Sequence, residues 1–474
     1  MASFYVENFG CRATQADGAA IERQFVQRGL DRAPAVSAAE IVVLNTCTVT
    51  AAADQDARAA IRRIRRFNPA CKIVVTGCYA QRAPQELASL PGVSQVVGNS
   101  HKHELAELAI GASRTFVPLE TLSLAAPVFV SDIFAHTELI AAPVFDSANS
   151  RTRPNLKVQD GCDNRCSFCV IPSVRGQSRS LPLDQVLSEV NALVAAGYRE
   201  VVISGINLGR WGRDLPATGN RELKTENWFS RTEGWKSTPQ PPSSPPQSRF
   251  EDLVRAILEK TSLEKLRISS VEPMDWSDEL IALIASSSRI AKHAHVPMQS
   301  GSDAVLRRMH RKYRPWHYRE KLEKIRAAMP TAAIGADVMV GFPGETDAEF
   351  EETLRMIEDL PFTYLHVFTY SPRPGTPAAK LPDQVPVAIA RERNRILREL
   401  GERKKLAFMR SFIGRTLEAI TLNTVAGCAS DETTQALTDN YLKLHIEGQL
   451  EPNRWITVSV NDVEGGALVG APAV

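Results

Sequence analysis

Six of the eight cysteines fall into two sets, and their placement constrains this chain more than any other feature. Cys162, Cys166 and Cys169 stand in DGCDNRCSFCVIP, a C-x3-C-x2-C run directly after a strand-like segment, Leu156 to Gln159. A loop this tight can turn three thiolates onto one face of a [4Fe-4S] cluster, and three ligands for four irons leave one iron open to an exogenous molecule. Zinc is a competing reading, although a structural zinc takes four ligands and no fourth Cys or His lies nearby in sequence. Inert packing cysteines are another. Cys11, Cys47 and Cys78 form the second set. Each follows an apolar run (FYVENFGC, IVVLNTC, KIVVTGC), so in a parallel sheet all three would lie at strand carboxyl ends, along the edge where doubly wound folds place their ligands. Three unrelated buried cysteines are the alternative. Cys71 precedes its strand and Cys428 stands alone, and both read as packing residues.

The chain of 474 residues has room for about three domains. Residues 1–122 alternate strand-like runs with helical stretches and read as a doubly wound parallel-sheet α/β domain. Residues 123–154 lack helical periodicity and read as a linker. From 155 to 384 six further strands alternate with helices, the pattern of a partial barrel of βα units. A Pro/Ser-rich insertion at about 213–249 interrupts it and contains STPQPPSSPPQ, which has no large apolar residue with which to form a core. Residues 385–410 read as a long charged helix, and 411–474 as a small antiparallel β-barrel.

Hydrophobic residues at 43% and charged residues at 23% belong to a globular protein rather than a disordered one. The net charge of +2 excludes a polybasic chain, so any nucleic-acid contact must come from local patches. No apolar run reaches the roughly 18 residues of a membrane span, and the start lacks the pattern of a signal peptide, so the expected location is the cytoplasm, with no membrane partner. Metal ligation or catalysis is then the better reading of clustered cysteines than disulfides.

The C-x3-C-x2-C run, with Phe168 before its last cysteine and its place at the mouth of a βα barrel, resembles the radical S-adenosylmethionine superfamily. Together with Cys11, Cys47 and Cys78, the chain is similar over nearly its whole length to the radical S-adenosylmethionine methylthiotransferases, whose last domain is the TRAM barrel. The resemblance implies two [4Fe-4S] clusters and S-adenosyl-L-methionine as cofactors. Cys162, Cys166 and Cys169 would hold the radical-generating cluster, and Cys11, Cys47 and Cys78 the auxiliary one at which sulfur is held. It further implies contacts to S-adenosylmethionine from Ser204, Gly205 and Asn207 in SGIN, from Ser269, Ser270 and Glu272 in RISSVEP, from Gln299 in PMQSG and from Gly341 in DVMVGFPGET. Each glycine taken alone also fits an ordinary tight turn.

GCR at 10–12, NTCTVT at 45–50 and FCVIPSVRGQSRS at 168–180 resemble the subfamily that adds a methylthio group to C2 of threonylcarbamoyladenosine at position 37 of tRNA. That expectation brings tRNA, an electron donor and a sulfur donor as partners. Methylthiolation of isopentenyladenosine in tRNA or of a ribosomal protein side chain are the alternatives. A non-enzymatic iron–sulfur protein, binding RNA or transferring electrons, is the third, disfavoured because it needs neither an open iron nor the barrel-mouth motifs.

For the RNA, Arg58, Arg62 and Arg66 recur at i, i+4 and i+8 of RAAIRRIRR and would form a stripe on one helical face suited to phosphates, or merely a solvated face. RRMHRKYR at 307–314 carries the same two readings. The terminal barrel, with three basic and eight acidic residues over 411–474, has the wrong sign for phosphates and would suit a basic protein substrate. The preceding 391–410, with eight basic and three acidic residues, is the better phosphate surface.

Overall fold

The computed structural model describes residues 2–111, 126–135, 139, 152–215, 248–423 and 433–473. The Pro/Ser-rich tract and Cys428 lie outside these residues.

The first unit is one parallel sheet. Strands β1 (Ser3–Asn8), β2 (Asp31–Arg32), β3 (Ile41–Thr46), β4 (Lys72–Gly77), β5 (Val93–Gly98) and β6 (Val128–Phe129) lie in the order β2-β1-β3-β4-β5-β6. Every residue of β3 is buried, as expected of a central strand covered on both faces by helices. Strand β6 corrects the sequence reading. It lies inside the segment taken for a linker, and Val96 and Val97 pair with Val128 and Phe129. A two-residue strand is too short to show a period, so only the neighbouring edge reveals it.

The second unit carries β7 (Asn155–Asp160), β8 (Arg179–Ser180), β9 (Glu200–Gly205), β10 (Lys265–Ile268), β11 (His293–His295), β12 (Ala333–Val340) and β13 (Tyr364–Thr369). Strand β8 pairs antiparallel with β7, while β7, β9 and β10 are parallel, as are β11, β12 and β13. Bridges from Leu266 to Ile290 and from Ser270 to His295 join the two sheets edge to edge. All six strands expected for the partial barrel form, and a large apolar core lies between them and the surrounding helices.

The long helix Val387–Arg410 leads into a closed barrel of β14 (Thr416–Thr421), β15 (Thr433–Thr438), β16 (Lys443–Glu447), β17 (Trp455–Glu464) and β18 (Ala467–Pro472). Four of its strand junctions are antiparallel, and β16 pairs with β18 in parallel, which closes the barrel. Two of the acidic residues of this barrel have a structural role. Glu418 and Asp439 meet Lys265 at 3.0 and 3.4 Å, so two of its carboxylates dock it onto the partial barrel.

Candidate active site

Strands β1, β3 and β4 are neighbours, so the segments that leave their carboxyl ends emerge side by side. Cys11, Cys47 and Cys78 are the residues so delivered. Gly10 and Gly77, each one residue before a cysteine, have φ of +101° and +98°, a conformation that lets the chain turn sharply off the strand. A Cβ on Gly10 would stand 2.6 Å from the Cys47 Cβ, which shows how closely the first loop lies over the second. Cys11 is exposed, while Cys47 and Cys78 are buried. Burial and the neighbouring Cys78 and Cys11 push the Cys47 thiol up to about 12, so its thiolate calls for a compensating cation. The donor set fits a metal cluster.

The NTCTVT segment carries the local scaffold. The Thr48 hydroxyl donates to Asp54 at 2.6 Å, and Thr50 caps helix α1 (Ala51–Phe67) by accepting from the Ala53 N–H. Arg82 and Arg373 both pair with Asp54, and Arg373 comes from the loop after β13, which ties this site to the second unit.

Cys162, Cys166 and Cys169 lie on the loop that leaves β7. The Asn164 N–H reaches Cys162 Sγ at 3.4 Å, Asn207 Nδ2 approaches the same sulfur at 3.7 Å, and Arg311 Nη1 donates to Cys166 Sγ at 3.3 Å. Desolvation by the folded loop raises the Cys162 thiol to about 11 and Cys169 to about 12. Again the sulfurs are arranged for a cation that is itself the largest charge of the site.

The strand ends around this loop hold several of the residues expected at S-adenosylmethionine. Ser204 Oγ and Asn207 Oδ1 are buried and have no hydrogen-bond partner, which is what a polar ligand would supply. Gly205 packs on Gln159, whose Oε1 accepts from the Asn207 N–H at 2.7 Å. Ser269 is buried, Ser270 bridges to His295, and Glu272 pairs with Arg311, which brings its carboxylate beside Cys166. Gln299 has φ +63° and bridges to Val338. Gly341 has a different explanation. A Cβ there would meet Ala390 at 2.5 Å, so the glycine lets the long helix approach, and its N–H is taken by Glu345 at 2.6 Å.

The segment that follows Cys162, Cys166 and Cys169 packs on the other cysteine set. Cys78 packs against Val170 and Val174, just after Cys169, and Asn99 reaches both the Val174 carbonyl at 2.7 Å and Cys78 Sγ at 3.6 Å. Between the units lies a buried ionic network. Asp17 meets Lys102, Lys157 and Arg175, while Asp160 meets Lys157 and Arg175. Burial acts to raise both carboxyls, and the cations override it (Lys102, Lys157 and Arg175 at Asp17; Arg175, Lys157 and Arg179 at Asp160), holding each well below the ordinary range. Arg175 opens the RGQSRS segment, whose Ser178 and Ser180 accept from Gln159 and donate to Asp214.

The arginine stripe is only partly free. Arg58 donates to the Tyr79 hydroxyl at 2.7 Å and to Glu86 at 2.5 Å through the same nitrogen, while Arg62 and Arg66 are exposed. Residue spacing could not reveal the Tyr79–Glu86 partners, which come from another helix pair.

Sequence reasoning missed two features. A ring cluster of His293, His295, Tyr364, His366 and Tyr441 lines the inner side of β11 and β13 against the terminal barrel, and Arg12 donates to the Tyr441 hydroxyl at 3.1 Å. Beside it, a cavity of about 530 Å³ lies among β13, the long helix and the terminal barrel, lined by Arg153, Arg398, Lys405, Lys443 and His445. Alternating polar residues within β11 and β13 were the available signal.

Comparison with known proteins agrees with this geometry. The profile of an uncharacterized protein family, UPF0004, matches residues 3–98, and that of the radical SAM superfamily matches 156–357. The threonylcarbamoyladenosine tRNA methylthiotransferase MtaB of Aquifex aeolicus is 35% identical, covering 96% of this chain and 99% of the relative. Its namesake in Bacillus subtilis is also 35% identical, over 94% and 91%. A tRNA-2-methylthio-N(6)-dimethylallyladenosine synthase of Novosphingobium aromaticivorans is 33% identical over 88% and 86%. Among solved structures, the radical S-adenosylmethionine methyltransferase TsrM of Kitasatospora setae superposes with a TM-score of 0.56 at 15% identity, covering 80% of this chain and 77% of that one, a likeness of fold. The chain therefore belongs to the radical S-adenosylmethionine methylthiotransferases, a family that works with S-adenosylmethionine and [4Fe-4S] clusters.

Proposed function

We propose that this chain adds a methylthio group to C2 of threonylcarbamoyladenosine at position 37 of tRNA. The observation that carries the reading is that Cys78, one of three cysteines at adjacent strand ends, packs against Val170 and Val174, which directly follow the loop that holds the other three. In this reading Cys162, Cys166 and Cys169 hold the radical cluster, and Cys11, Cys47 and Cys78 hold the auxiliary cluster. S-adenosylmethionine with the first cluster supplies a carbon radical able to attack an unactivated C–H bond, which polar catalysis cannot do.

The chain's own residues then have positioning roles. Arg311 steadies Cys166 and Glu272 together, and Ser204 and Asn207 offer their unpartnered oxygens to the bound S-adenosylmethionine. Arg62, Arg66 and the basic side chains around the cavity between the two barrels would take RNA phosphates, while the base leaves an anticodon loop whose stacking is already weakened. An electron donor, a sulfur donor and a cytoplasmic setting complete the proposal.

The second reading, isopentenyladenosine as the substrate base, rests on the 33% identity to an enzyme named for that nucleoside. The two bases differ in charge. The threonylcarbamoyl group carries a carboxylate, and Arg12 supplies a cation at the edge of the ring cluster, which favours the first reading. The test offers reduced, cluster-loaded enzyme with a sulfide source three substrates in turn: tRNA bearing threonylcarbamoyladenosine, tRNA bearing isopentenyladenosine, and the ribosomal protein. Mass spectrometry should find the 2-methylthio product on the first. Product on either of the others alone overturns the reading.

A further inference from the structure

We propose that His295, Asp337 and His366 form a binding site for a divalent transition-metal ion inside the partial barrel, separate from both cysteine sets. The three residues lie on adjacent strands β11, β12 and β13, and Asp337 stands opposite His366 in the register. Their neighbours Ala294, Ala336 and Val338 point the other way, into the apolar core, so strand alternation directs all three polar side chains inward.

The ligand atoms lie within 4.8 Å of one another. Asp337 Oδ1 is 3.5 Å from His295 Nε2 and 3.3 Å from His366 Nδ1. Ligands held about 2.0–2.2 Å from one tetrahedral ion stand about 3.3–3.5 Å apart, so two edges of the coordination figure already have their length. His295 supplies the second observation. It is 8% exposed, and neither ring nitrogen has a hydrogen-bond partner of good geometry. A buried imidazole without a partner is costly, and a metal is one of few groups that satisfies it.

Two imidazoles and one carboxylate suit Zn²⁺, Fe²⁺ or Co²⁺ and leave coordination positions open. His366 lines the 530 Å³ cavity beside the terminal barrel and gives the ion a way in. A proton-sharing His–Asp–His chain is the competing account, and it leaves the buried His295 without a proper bond.

The experiment uses the intact enzyme with both clusters loaded under nitrogen, equilibrated with Zn²⁺ and desalted. Zinc and iron are counted together, and the zinc X-ray absorption edge reports the ligand atoms. One zinc per chain with a nitrogen/oxygen shell is expected, and His366→Ala should lower zinc affinity by at least about tenfold with the iron content unchanged. His366 is exposed, so this variant leaves the core intact. Failure of the wild-type enzyme to retain zinc, a sulfur shell, or zinc binding unaffected by both His366→Ala and Asp337→Asn overturns the proposal. The wild-type spectrum decides the matter even where a variant does not fold.

Discussion

The two cysteine sites reach similar donor sets by opposite routes. Cys162, Cys166 and Cys169 come from one loop of eight residues, so their proximity is a property of local chain geometry. Cys11, Cys47 and Cys78 are 36 and 31 residues apart and meet only because β1, β3 and β4 are adjacent and parallel. The spacing of one set is written in the chain, whereas the other set exists only as long as the sheet does. The difference extends to electrostatics: Arg311 serves Cys166 directly, while Arg175, buried in the network between the units, feels Asp160 first and then Cys78.

The strongest way to separate the sites is to remove each in turn. Changing Cys162, Cys166 and Cys169 together to alanine should abolish reductive cleavage of S-adenosylmethionine and leave about four of eight irons. Changing Cys11, Cys47 and Cys78 should leave that cleavage intact and eliminate methylthiolated product. Chromatography of 5′-deoxyadenosine and of nucleosides reads both, and deoxyadenosine from the first variant would refute the division of labour.

Next in size is the ionic seam between them. Arg175→Met leaves Asp17 and Asp160 short of a buried partner and should cost about 3–5 kcal/mol in denaturant unfolding. The wild type should show the matching pH dependence. Both carboxyls are held below their ordinary values, so their contribution is complete above about pH 4–5 and is lost as the pH falls below that window. Unfolding midpoints between pH 3 and 7 that do not fall on the acid side would show that the network is not ionised.

A smaller effect is expected on the auxiliary side alone. Arg62→Glu with Arg66→Glu should weaken tRNA binding and flatten the slope of log affinity against log salt by about 2, with S-adenosylmethionine cleavage unchanged. An unaltered slope in a filter-binding titration would remove this face from the RNA path. Smallest of all, Glu418→Gln should cost less than about 1 kcal/mol in thermal unfolding, because its partner Lys265 is buried while Glu418 itself is mostly exposed. A larger loss would mean that the terminal barrel holds the radical site in shape.

The sequence by itself determined whatever depends on short-range pattern. The C-x3-C-x2-C loop, the six strands of the partial barrel, the long helix Val387–Arg410 and the position of each cysteine at the end of an apolar run are all properties of neighbouring residues. Only the tertiary structure decided which distant groups meet. Strand β6 is two residues long and exists because Val96 and Val97 offer it an edge; Arg58 is occupied because Tyr79 and Glu86 fold beneath it. Gly341 is small because Ala390, 49 positions away in the chain, lies against it, and two carboxylates of the terminal barrel are held by Lys265. His295, Asp337 and His366 have the same origin. Each is an unremarkable polar residue within its own strand, and only the parallel register of β11, β12 and β13 brings the three side chains onto one face, because period-2 alternation sets a residue's face while strand order sets its neighbours.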